Sequence, residues 1–277
     1  MERINLDHTT RIETASHSSK GNQLKWMVHG NWYKADYMGY ESLSEVVVSS
    51  LLRYSDIPTE RLIEYWPVWI QYDERHMKGC ASHNFLKEGQ ELIPIERLIR
   101  QYTGRSPVIE MGHIPEVKDR IRYLVNSVTD ITGLHNFGAY LTTALEIDAC
   151  FLNEDRHTNN IAVIYQEKTH DYCLCPYFDH GLSLFSDTMV DFPLESDMES
   201  CMKRMEAKPF SLDFDEQLDC AEELYGRQIF FLFGEKEISQ SITPFQGIYD
   251  PRILLRVEEV LRQQRRKYQY LFTKPVQ

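Results

Sequence analysis

The stretch from Asn153 to Gly181 constrains this chain more than any other. Two apolar runs flank a polar turn, and acids and an amide stand at both outer ends. Ile161–Tyr165 is short and rich in β-branched and aromatic residues, Gln166–Asp171 is polar, and Tyr172–Phe178 is apolar again, so the segment reads as one β-hairpin. Antiparallel neighbours lie roughly 5 Å apart, which brings the two open ends of a hairpin side by side. Asn160, just before the first strand, and Asp179, just after the second, are therefore expected to be close. Asp155 sits in the entering loop. Two oxygen ligands beside a further carboxylate suit Mg²⁺ and a phosphate-bearing substrate. Alone, Asp155 and Asn160 also fit a polar turn that caps its own backbone; the hairpin that returns Asp179 to them weighs against that reading.

A chain of 277 residues can build one large domain or two modest lobes. Its formal net charge of −12 argues against nucleic-acid binding, which needs a basic face. Arg262, Arg265, Arg266 and Lys267 are an exception, read as the solvated face of a terminal helix. No stretch approaches the roughly 18–20 apolar residues of a membrane span. The first twenty residues hold no apolar signal-peptide core. Six cysteines without a Cys-x-x-Cys pair argue against zinc and for a reducing, cytoplasmic setting.

The N-terminal third is strand-rich. Residues 14–22 are small and polar, and Ser18, Ser19, Lys20 and Gly21 could offer hydroxyls, an ammonium and backbone N–H groups to phosphates. Leu24–Val28 reads as a strand, Gly30-Asn31 as a turn, and Trp32–Ala35, which includes Lys34, as the returning strand. Helical spacing begins at Glu41, with Ser42 or Ser44 as a cap, and puts Glu41 and Glu45 on one face. A strand lysine followed by a helix glutamate can form an ion pair that aims the ammonium at a phosphate; Glu45 is preferred and Glu41 is second. A strand broken at Pro67 follows, then another from Arg75. The chain turns helix-rich at Ser82 to Leu86, which sets a lobe boundary and domains of 1–83 and 84–277. Phe137, Tyr140, Leu141, Ala144, Leu145 and Asp148 stripe a core helix that leads into the Asp155 loop. Leu182–Glu206 reads as a mobile acidic loop merging into a short helix, and helices are expected over Phe214–Leu224 and Pro251–Leu271.

Asp155-Arg-His-Thr-Asn-Asn160, with Asp179-His-Gly181 after the hairpin, resembles the catalytic and metal motifs of the phosphatidylinositol-kinase-like branch of the protein-kinase-like fold. Overall size and the Lys-Gly-x-x-…-Phe-Leu stretch near the hinge look like the HipA-like and CtkA-like bacterial serine/threonine kinases. The resemblance implies an α+β, bilobal fold with a strand-rich N-lobe and a larger helical C-lobe. It implies ATP and Mg²⁺, with Asp155 on the acceptor hydroxyl and His157 near the transferring phosphate. Asn160 and Asp179 would hold the metal, and Lys34, supported by Glu45, would contact the ATP phosphates. Ser18, Ser19, Lys20, Gly21 and Asn22 would cover those phosphates, and Ser82, Asn84 and Phe85 would bind ATP at the hinge. Ser18 and Ser19 become candidates for autophosphorylation. The implied acceptor is a protein, with an antitoxin or regulatory partner as a further implication and neither nucleic acid nor membrane bound directly. Two departures stand out: no Gly-x-Gly-x-x-Gly loop, and Asp-His-Gly in place of Asp-Phe-Gly. A lipid or small-molecule kinase and a nucleotide-binding pseudokinase scaffold are the competing readings.

Overall fold

The computed structural model describes residues 1–7 and 23–274. In chain order the elements begin with β1 (Glu2–Leu6), β2 (Lys25–Val28), β3 (Asn31–Ala35), α1 (Glu41–Leu52), β4 (Tyr65–Tyr72) and β5 (Arg75–His83). They continue with β6 (Gln90–Pro94), α2 (Ile95–Thr103), α3 (Pro107–Gly112), α4 (Val117–Thr132), α5 (Phe137–Phe151), β7 (Ala162–Gln166) and β8 (Asp171–Leu174). The last four are α6 (Met198–Arg204), α7 (Phe214–Tyr225), α8 (Glu235–Ile242) and α9 (Pro251–Lys267). The chain forms two compact units, Met1–Phe85 with Asp179–Arg204 and Phe230–Gln277, and Leu86–Phe178 with Met205–Ile229. The first unit thus extends past the boundary expected at 83/84, taking in two later segments of the chain. Among the described residues no helix is long and apolar enough to cross a membrane.

The first unit holds a five-stranded sheet in the order β1-β4-β5-β3-β2. Alternation along its strands buries Trp26, Tyr33, Val68, Ile70, Tyr72 and Ala81 on one face, where Trp26 meets Tyr72 edge-on with centroids 5.2 Å apart. The β2–β3 hairpin turns at His29 and Gly30, both at positive φ, as a two-residue hairpin loop requires. Pro67 does not break its strand, contrary to expectation. β4 runs from Tyr65 to Tyr72, and β1 starts pairing only at Glu2↔Val68, so no β1 carbonyl lies opposite the missing N–H.

Neither Ser42 nor Ser44 caps α1. Asp36 Oδ1 accepts from Ser42 N at 2.7 Å, while the Glu41 carboxylate accepts from the backbone N–H groups of Tyr37, Met38 and Gly39. The segment after residue 182 ends in the short helix expected, α6, while its first residues are packed rather than loose. Leu184, Phe185, Ser186 and Asp187 are buried. Tyr40 Oη donates to Leu184 O at 2.6 Å, Ser44 Oγ to Ser183 O at 3.0 Å, and Tyr40 N to Ser186 O at 3.1 Å. Gly39 makes the approach possible, because a Cβ there would lie 2.1 Å from Ser186 O. Farther along, Arg256 of α9 donates to the carbonyls of Phe192, Pro193 and Ser196. A polar composition says nothing about backbone carbonyls, and these are what the anchoring uses. The helix α8 has no counterpart among the helices expected from sequence; α9 ends at Lys267 and a 3₁₀ turn over Gln269–Phe272 follows. Arg262 pairs with Glu235 and Glu258, each at 2.7 Å, consistent with a solvated face of paired charges.

In the second unit the anticipated hairpin forms as β7–β8, with Val163↔Leu174 through Gln166↔Asp171 in register. It is not free-standing: β6 pairs along β7 from Gln90↔Gln166 to Pro94↔Ala162, giving a three-stranded sheet. Gln90–Pro94 alternates weakly and stands beside a helix start, which hides it as a strand. α3 follows α2 directly, with Pro107 in its first turn. The core helix α5 buries nearly every side chain, and Gly138 meets the ring of Tyr225 on α7.

One of those side chains is Glu146, fully buried, with Oε1 accepting from Gln228 N at 2.7 Å. Burial, reinforced by the nearby Glu222 carboxylate and opposed by the Gln228 hydrogen bond, raises its pKa to about 9. In the unfolded chain it ionises at about 4.3. The folded state therefore holds the proton more tightly, and stability falls as pH rises from about 4.3 towards about 9. Glu146→Gln keeps the acceptor and removes the titration. Its melting temperature is expected to exceed the wild type's at pH 8 and to converge with it at pH 5. Parallel pH profiles for the two proteins would contradict this account.

Candidate active site

The first unit assembles a cationic clamp. Lys34 lies on β3 opposite Cys80 of β5, and alternation turns it towards α1. Its Nζ bonds Glu45 Oε1 and donates to Asp179 Oδ1 at 2.7 Å. Burial opposes the charge on Lys34, but the Asp179 and Glu45 carboxylates outweigh it and hold the ammonium well above its ordinary range. Glu45 Oε2 accepts from His180 N at 3.0 Å, so one glutamate fixes both the lysine and the backbone after Asp179. Asp179 itself adopts φ 60°, a left-handed conformation that aspartate tolerates better than most residues. Glu41, the second choice as partner for Lys34, is occupied by backbone N–H groups instead.

The second unit builds the loop that carries Asp155. α5 ends at Leu152 with φ 54°, an uncommon conformation for leucine, and the chain turns at once into the loop. Asp148, in the last turn of α5 and fully buried, accepts from Arg156 Nε at 2.8 Å and Nη2 at 3.0 Å, and from Asn153 Nδ2 at 2.8 Å. The free edge of the same guanidinium, Nη1, donates to Asn160 O at 2.8 Å and Phe178 O at 2.9 Å. One arginine thus ties the helix, the entry to β7 and the exit from the hairpin, and Asp179 is the next residue along the chain.

Within that frame Asp155 Oδ2 faces Asn160 Nδ2 at 3.3 Å and His157 Nε2 at 3.6 Å. His157 Nδ1 accepts from Asn159 N at 3.2 Å, so the neutral ring carries its proton on Nε2, towards Asp155. Asn160 Nδ2 also donates to Asp155 O at 2.8 Å, which leaves Oδ1 as the oxygen of that amide able to meet a cation.

Of the residues singled out from sequence, Lys34, Glu45 and Asp179 meet in the first unit, and Asp155, His157 and Asn160 meet in the second. Ser82 lies on β5 opposite Trp32, two residues along from the partner of Lys34, and is buried. Asn84 pins the strand end to the β2–β3 turn, through its N–H to Gly30 O at 2.8 Å and its Oδ1 to Trp32 Nε1 at 3.3 Å. Phe85 is the last residue of the segment that opens the first unit. Ser18, Ser19, Lys20, Gly21 and Asn22 lie outside the described residues. Sequence reasoning misses three participants. Lys25 Nζ is 3.9 Å from Asp179 Oδ2, Lys208 Nζ is 3.7 Å from Asp155 Oδ1, and Asp148 is the buried partner of Arg156. Asp148 has a signal, an acid inside an otherwise apolar stripe and eight residues before an arginine; the two lysines have none.

A carboxylate such as Asp179 and an amide oxygen such as Asn160 Oδ1 are hard donors that fit Mg²⁺, which commonly takes one or two protein ligands and completes its shell with phosphate oxygens and water. Among the described residues no group of three or more His, Cys, Asp or Glu side chains is gathered to cage a metal by itself.

No protein-family model matches the sequence, and no curated protein matches it either. A solved structure does. The chain is similar to the crystal structure of a Helicobacter pylori proinflammatory kinase, CtkA, with a TM-score of 0.62 over 95% of each chain and 14% identity. The fold is therefore kinase-like, bilobal and α+β, with a five-stranded N-terminal sheet and a helical C-terminal part.

Proposed function

We propose that the chain is an ATP- and Mg²⁺-dependent kinase that phosphorylates serine or threonine hydroxyls of a protein. The observation that carries this reading is Lys34, a strand lysine held by a helix glutamate and by the aspartate of Asp-His-Gly. That constellation serves phosphoryl transfer, where positioning and charge neutralisation do most of the work. The similarity to CtkA, itself a kinase, supports it.

In this reading Lys34 contacts the phosphates of ATP, with Glu45 restraining its approach. Asn160 and Asp179 would hold Mg²⁺, which when bound offsets the charge of the phosphate oxygens. Asp155 orients the acceptor hydroxyl and takes its proton as the oxygen–phosphorus bond forms; the bond from the γ-phosphorus to the bridging oxygen breaks and ADP leaves. The His157 Nε2–H stands beside the same carboxylate. Ser82, Asn84 and Phe85 bind ATP at the hinge, and the residues from Ser18 to Asn22 cover its phosphates, with Ser18 and Ser19 as autophosphorylation sites. A regulatory or antitoxin-type partner would act on this same activity.

The test is incubation of the purified chain with ATP, Mg²⁺ and a bacterial protein extract. Expected results are ADP release and phosphoserine or phosphothreonine by mass spectrometry, both lost when EDTA is added. ATP binding with no ADP release and no phosphoprotein would sink the kinase reading in favour of a nucleotide-binding scaffold.

A further inference from the structure

Lys208 belongs to no motif in the sequence, yet its Nζ stands 3.7 Å from Asp155 Oδ1. Side-chain contacts from two helices hold its backbone in place. Gln217 of α7, 1% exposed, donates Nε2 to Lys208 O at 3.2 Å and accepts from Phe210 N at 3.4 Å. Arg120 of α4 donates Nη1 to Phe210 O at 2.7 Å. Two helices thus fix the short segment that delivers this half-buried lysine.

The rest of the loop explains why a cation from elsewhere is useful. Arg156 follows Asp155 directly, but its guanidinium is consumed by Asp148 and by the carbonyls of Asn160 and Phe178, and it is only 3% exposed. The His157 ring spends Nδ1 on Asn159 N, which leaves Nε2 as its one nitrogen facing Asp155. An acceptor hydroxyl engaged by Asp155 would bring the incoming phosphoryl oxygens into the neighbourhood of that carboxylate, where Lys208 already stands. A cation fixed where negative charge is carried in the transition state acts without reorganisation.

We propose that Lys208 is a further catalytic residue, an ammonium supplied by the α6–α7 connection that binds the transferring phosphoryl group beside Asp155. This inference rests on the kinase reading above. No electron transfer or additional co-reactant is involved; the lysine remains protonated throughout.

The experiment compares wild type, Lys208→Met and Lys208→Arg in ATP- and Mg²⁺-dependent transfer to the acceptor found above, with thermal melting and ATP binding measured on each. Lys208→Met is expected to lower kcat by roughly 10²-fold, the usual cost of removing one fixed donor from a transition state. The KM for ATP and the melting temperature should stay at wild-type values, and Lys208→Arg should recover most of kcat. Unimpaired transfer by Lys208→Met overturns the role of Lys208 alone. So does an equal loss in both variants accompanied by a lower melting temperature, which marks a structural lysine. Absence of transfer in the wild type overturns the kinase reading, and this inference with it.

Discussion

Asp155→Ala is expected to abolish phosphate transfer while leaving ATP binding intact. The carboxylate faces Asn160, His157 and Lys208, whereas the cationic clamp is built from Lys34, Glu45 and Asp179. Its loss therefore removes the group assigned to the acceptor hydroxyl and spares the clamp. General-base assistance commonly contributes about 10²–10⁴-fold, so kcat should fall within that range or below detection. Asp155→Asn is the sharper comparison, because it retains an oxygen for Asn160 Nδ2 and for the hydroxyl but cannot take a proton. Both variants should melt near the wild-type temperature. Single-turnover transfer and nucleotide binding measured together decide the matter; a variant that still turns over at the wild-type rate removes Asp155 from the mechanism.

The second large effect concerns stability. Asp148 is fully buried and Arg156 nearly so, and they form a two-point ion pair. Removing one member of such a pair leaves the other charged or polar and buried, at a cost of about 3–5 kcal/mol. Arg156→Ala should therefore lower the denaturant midpoint severely, since a domain's net stability is only about 5–15 kcal/mol. It also strips the donor from Asn160 O and Phe178 O, which frame the hairpin ends. The double variant Asp148→Leu/Arg156→Met separates the two roles. Apolar replacement of a buried pair is often close to neutral, so stability should return in large part. Activity should not, because neither leucine nor methionine can donate to those carbonyls. Recovery of transfer along with stability would show that the pair only fills space.

The hairpin, the strand lysine and the helix glutamate are all legible in the amino-acid sequence. Each depends on short-range pattern: β-branched and aromatic runs around a polar turn at 161–178, alternation around Lys34, and three- and four-residue spacing after Glu41. The choice of Glu45 over Glu41 is also within reach, since Glu45 lies one turn inside the helix. What Glu41 does instead is not, because its partners are backbone N–H groups, which every residue but proline carries. The same blindness applies to Leu182–Glu206, where acidic composition masks carbonyls of the segment that accept from Tyr40, Ser44 and Arg256. It applies as well to Gln90–Pro94, a strand by virtue of lying beside β7.

By itself, then, the sequence determined the order of the chemical groups and the local elements that present them. It placed Asp155 and Asn160 in one loop before a hairpin, Asp179 after it, and Lys34 and Glu45 on a strand and the helix that follows. Only the tertiary structure decided which groups complete those local arrangements: Lys25 at Asp179, Lys208 at Asp155, and Asp148 beneath Arg156. Local elements are written in a period of two or 3.6 residues. Proximity between Lys208 and Asp155 has no period, because it comes from helices α4 and α7 gripping a connection through the side chains of Arg120 and Gln217 and backbone carbonyls.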